Sequence, residues 1–131
     1  MVTSDEVAID MELSEWAIYL AHRDKIIPVL DPDLYPIEWL DAQVYVGNAR
    51  VFAHSGAIIL TEFKVYPTGF REIHGLVAAG DLETIRDVLI PQAEAFGKAH
   101  GCGLASIASR HGWAKVLPDY SVYQVTLRKV I

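Results

Sequence analysis

Between Leu82 and His100 the apolar positions Leu82, Ile85, Leu89, Ala93, Phe96 and His100 recur at steps of three or four, with Val88 widening the stripe. That spacing predicts a long amphipathic helix packed on a sheet. Upstream, the run from Phe70 to Ala79 reads as a strand. Downstream, Cys102 to Ala108 is short, small and apolar, which suits a strand covered on both faces. A strand-helix-strand unit implies a parallel pair of neighbours joined by a right-handed crossover.

The remaining pattern fills in around that unit. Residues 11 to 27 carry a helical pattern with Leu13, Trp16, Ala17, Leu20 and Ile27 on one side, Asp10 as a cap and Pro28 as the stop. Pro36 opens a second helix with Ile37, Leu40 and Val44 on its buried side and Trp39 near the edge, closed by Gly47-Asn48. The period then shortens. Arg50 to Ala53 and Ala57 to Tyr66 predict a hairpin turned by His54-Ser55-Gly56, and Pro67-Thr68-Gly69 leads into the strand at Phe70. Finally, Tyr123, Val125 and Leu127 alternate with Gln124, Thr126 and Arg128, predicting a half-exposed strand from Tyr120 to Ile131 near a sheet edge. The expected architecture is one α/β domain over residues 1–131, with a mixed, mostly antiparallel sheet and one parallel pair splayed beside a long helix.

A chain of 131 residues, 52% hydrophobic and 21% charged, can bury one full core. Its single cysteine excludes an internal disulfide, and the five histidines show no metal-ligand spacing, so no metal is expected. No apolar run is long enough to span a membrane and the N-terminus does not resemble a signal peptide, which makes the cytoplasm the default location. The net charge of −6 disfavours nucleic acid. Ten of the acids fall within residues 1–41, against Arg23 and Lys25. That acidic third reads either as a solvated helical face or as an electrostatic handle for a basic partner.

The Ala-Gly-Asp turn at 79–81, the Ala-His-Gly-Cys helix exit at 99–102 and Arg110-His111-Gly112-Trp113 followed by Val116-Leu117 together resemble small phage and prophage proteins of the GNAT (acyl-CoA N-acyltransferase) superfamily fold. The resemblance covers roughly residues 36 to 131, with Ser109 where a glycine is expected. It implies a V-shaped opening between the parallel strands near Leu76 and Ile107. It also implies a setting among virion or assembly components, in the host cytoplasm or on the virion.

In the acyltransferases that this chain resembles, the junction of the first parallel strand with the long helix binds the pyrophosphate of coenzyme A through glycines, backbone N–H groups and the helix dipole. Here the corresponding cofactor-binding positions are Gly80, Asp81, Leu82 and Arg86. Asp81 falls where a helix N-cap belongs, and both it and Glu83 would repel a pyrophosphate. Glu62 could serve as general base, and Tyr120 or Tyr123 as general acid, as such transferases require; packing and surface exposure are the plain alternatives. Arg110 and Trp113 read either as a partner-binding pair or as architecture, with Gly112 allowing close approach and Trp113 filling space. The expected function is thus a non-catalytic or degenerate module that binds another protein and takes no cofactor. An acetyl-CoA-dependent N-acyltransferase is the alternative.

Overall fold

The computed structural model describes residues 4–109 and 112–131, with side chains from residue 15 onward, so Leu13 and Arg110 lie outside the described side chains. Helix α1 (Ser4–Ile26) is followed by a 3-10 turn (Ile27–Val29) that contains Pro28, and then by α2 (Ile37–Tyr45). Strands β1 (Arg50–His54), β2 (Ala57–Val65) and β3 (Arg71–Ala79) form an antiparallel meander. Next come α3 (Leu82–Thr84), a π turn (Ile85–Leu89) and α4 (Ile90–Ala99); β4 (Leu104–Ile107) and α5 (Trp113–Val116) complete the elements.

The sheet order is β1-β2-β3-β4, with β4 parallel to β3 from Glu72↔Leu104 to Gly75↔Ile107. This is the mixed α/β topology expected from the sequence. β3 runs on to Ala79 after its pairing with β4 ends, so the two strands part at Leu76 and Ile107, the expected position. A bulge marks the same level: Leu60 pairs with Val77 and Thr61 with Gly75, leaving Leu76 unpaired. The hairpin turn is Ser55-Gly56, with φ of 47° and 81°, and Gly47 closes α2 at φ 84°.

Two cores sandwich the sheet. On one face Tyr19 and Ile26 of α1 and Leu40 and Val44 of α2 meet Val51, Ile58 and Leu60. On the other, Ile85, Leu89, Ile90 and Ala93 meet Ile59 and Ile73, with Phe63, Phe96, Trp113 and Tyr120 packed around them.

Several expectations need correction. α1 extends N-terminally past Asp10, which therefore lies within the helix and is no cap. Among its described side chains the buried ones are Tyr19 and Ile26, whereas Ala17 and Leu20, and Ile27 just beyond it, are exposed. The polar residues explain the choice of face: Tyr19 and Arg23 both hydrogen-bond Asp41 of α2, and Glu15 pairs with Arg50. Part of the acidic third is thereby neutralised within the chain.

The long helix is interrupted by the π turn. Pro91 has no N–H to return to Asp87, so the regular ladder cannot continue through this point. The buried stripe becomes Ile85, Leu89, Ile90, Ala93 and Gly97, while Leu82 and His100 are exposed. β4 is a four-residue edge strand with Leu104 half exposed, so it is not covered on both faces. Residues 121–131 form no strand.

Candidate functional site

The junction between β3 and the helix is shaped first by Gly80. Its φ is 113°, and a Cβ there would lie 2.7 Å from the Ala57 Cα and 2.9 Å from the Ala57 Cβ. The glycine therefore serves the close approach of β3's exit to the start of β2. Asp81 follows as N-cap: one carboxylate oxygen, Oδ2, accepts from both the Thr84 backbone N–H and the Thr84 hydroxyl, each at 2.9 Å. The bond from the backbone N–H, seconded by the hydroxyl, holds the Asp81 carboxyl below its usual range.

Arg86, the cation nearest in sequence to the junction, forks onto Asp87 at 2.7 and 2.9 Å. Gly80 and Asp81 thus form the turn into the helix, while Arg86 lies in the π turn with its guanidinium held by Asp87. An amide that could meet an anion is already bonded, and the nearby guanidinium is paired.

Beyond the junction, the gap between β3 and β4 opens beneath α4 as a cavity of about 30 Å³, bordered by Thr61, Gly75, Glu94, Ile107 and Tyr120. A space of that size accommodates a water or two. Gly75 keeps the strands close where they begin to part, since a Cβ there would lie 2.9 Å from Ile107 Cγ2. Tyr120 borders the cavity, donating its hydroxyl to Glu94 Oε2 at 2.9 Å while its N–H bonds the Leu117 carbonyl. Burial, and then the bond to Glu94, push the Tyr120 phenol well above its ordinary pKa. Tyr123 is 93% exposed.

Glu62 lies on the opposite face from Tyr120. It pairs across the sheet with His74, whereas its neighbour Phe63 packs in the core that includes Tyr120. The two catalytic candidates are therefore separated by the sheet.

On the Glu62 face the structure assembles a polar chain that the sequence reading did not identify. Tyr66 donates to Glu72 Oε1 at 3.0 Å, Ser106 Oγ donates to Glu72 Oε2 at 2.6 Å, and His74 Nδ1 lies 2.8 Å from Ser106 Oγ. Because the serine proton points to Glu72, its oxygen accepts from Nδ1–H, which leaves the His74 Nε2 lone pair available. Burial and then the Lys64 charge hold the His74 pKa below its ordinary value, so the ring is neutral at pH 7. Serine sits between acid and histidine, so this is no nucleophile triad; it orients an imidazole able to accept a proton. The available signal was Glu72 and His74 at i and i+2, a polar pair on one face of β3.

Trp113 packs partly against the helix-side core and also lines an open apolar pocket of about 280 Å³ with Leu82, Gly112 and Val116. Among the described residues, no group of three His, Cys, Asp or Glu side chains could hold a metal ion. No described helix is long and apolar enough to cross a membrane.

No protein-family model matches the chain, and no curated protein does. Among solved structures, the chain is similar to an acetyltransferase from Trypanosoma brucei at a TM-score of 0.47 and 13% identity, covering 76% of this chain and 87% of that one.

Proposed function

We propose that this protein is a binding module: a GNAT-like domain that engages another protein and does not transfer acyl groups from coenzyme A. The observation that carries this reading is the Asp81 cap. Its carboxylate occupies the helix start where a pyrophosphate would need free N–H groups, and Glu83 adds charge of the same sign. The small cavity between the parted strands and the pairing of Arg86 with Asp87 support it, since neither offers a free cation or a deep channel beside the helix start. The apolar pocket of Leu82, Trp113 and Val116 offers surface for a protein partner. We place its role among phage virion or assembly components on the resemblance of residues 79–81, 99–102 and 110–117 alone.

Calorimetric titration with acetyl-CoA tests the reading. The wild type is expected to show no saturable heat at millimolar ligand, and Asp81→Gly with Glu83→Gln to gain weak affinity as the helix N–H groups are freed. Micromolar binding by the wild type, abolished by Arg86→Ala, would reject it.

An acyl-CoA-dependent N-acyltransferase is the second reading, and the relay from Glu72 through Ser106 to His74 favours it. His74 Nε2, with Glu62 across the strand pair, could take the proton from an attacking amine. Acetyl transfer to a primary amine by the wild type, abolished by His74→Gln without loss of the fold, is the result that would support this reading.

A further inference from the structure

The two edges of the sheet are treated differently. At the β1 edge, α1 lies alongside, Glu15 pairs with Arg50, and the Val51 N–H is bonded by Glu15 Oε1 at 3.1 Å. At the β4 edge, Leu104-Ala105-Ser106-Ile107 carries neither a charge nor a proline, follows Gly103, and pairs with β3 alone. Edges of monomeric proteins are normally blocked by lysine, proline, bulges or a covering element. β4 contains no lysine, proline or bulge and pairs on one side only, with β3.

The same molecule carries a strand sequence with no ladder. Residues 121–131 are rich in β-branched and aromatic residues, and Val122, Tyr123, Val125, Leu127, Val130 and Ile131 are all exposed, Leu127 at 90%. The segment follows Tyr120, which is fixed by Glu94 and Leu117, and passes close to Tyr66 at Tyr123. Fully extended it reaches about 35 Å, far more than a four-residue strand requires. Its only charges are Arg128 and Lys129, and it carries no acid.

From these features we propose that residues 121–131 of one copy add as a strand to the β4 edge of a second copy, and reciprocally, forming a closed twofold dimer. Two tails and two open edges saturate one another, leaving no free edge for further growth. The exchange rests on the protein-binding reading and names the partner as another molecule of this chain.

Sedimentation velocity on the full chain at ~100 μM, a concentration that populates complexes of micromolar affinity, is expected to show a dimer. Val125→Pro with Leu127→Pro removes two donors from the tail, while Leu104→Lys blocks the edge. Each variant is expected to be monomeric with an unchanged circular dichroism spectrum, because the altered residues lie outside both cores. Hydrogen exchange is expected to show the tail amides protected only where the dimer is populated. A wild-type monomer throughout, a dimer that survives the tail prolines, or tail amides protected in a monomer would each overturn the exchange. A monomer that ignores acetyl-CoA counts against the exchange and leaves the protein-binding reading standing. Saturable acetyl-CoA binding counts against that reading whatever the oligomeric state.

Discussion

Asp81 joins stability and function in one side chain. If its oxygen is needed as a cap, Asp81→Asn should preserve the thermal midpoint and Asp81→Ala should lower it, since asparagine caps about as well as aspartate. Gly80 should be less forgiving. Its left-handed backbone and the 2.7 Å approach to the Ala57 Cα leave nothing flexible to move, so Gly80→Ala is expected to cost at least about 2 kcal/mol in chemical denaturation. His74 sets a pH dependence. Its pKa is lowered on folding, so below about 6.5 the unfolded chain binds more protons than the folded one and stability falls as the pH drops toward the folded value. A His74→Gln variant should lack that step in a denaturation series from pH 7.5 to about 5. At this scale the sequence was readable where one residue acts alone: Asp81 as cap followed from its place before a helical stripe. The relay of Glu72, Ser106 and His74 was hidden because Ser106 lies on β4, and only the parallel register brings it beside the other two.

Among the elements, the β hairpin was legible because period-two runs and turn residues act locally, the parallel pair because a strand-helix-strand unit implies it, and the point where its strands part only through the resemblance. The helix from Leu82 onward was legible in place but not in facing. The π turn that precedes Pro91 rotates the later residues and gives Gly97 the position against Ile73. Phe96 is left half-buried, stacked on Phe63 with ring centroids 5.7 Å apart and edge-on to Phe52 at 5.5 Å. Phe96→Ala should therefore cost about 3 kcal/mol, the low end for truncating a core phenylalanine. A loss below about 1 kcal/mol would mean that this aromatic cluster does not hold the helix to the sheet. The alternation in 121–131 also signalled a strand, but a strand needs a partner, and within one copy that segment has none.

Across the whole molecule, one sheet separates two surfaces with different chemistry. The α4 side carries an aromatic and aliphatic core that leaves only a small cavity where β3 and β4 part; the other side combines the α1 and α2 core with the polar relay. The topology was accessible from sequence because crossover handedness and strand order follow general rules. Whether the opening could hold a cofactor was not, since that depends on the bonding of Asp81 and Arg86 in three dimensions. The most direct test is a residue-resolved NMR titration of the wild-type protein with acetyl-CoA to millimolar concentration. The account predicts no saturable shifts at Gly80, Leu82, Glu83 or Thr84, nor at Gly75 and Ile107. Saturable shifts at both the helix start and the parting of the strands would contradict it.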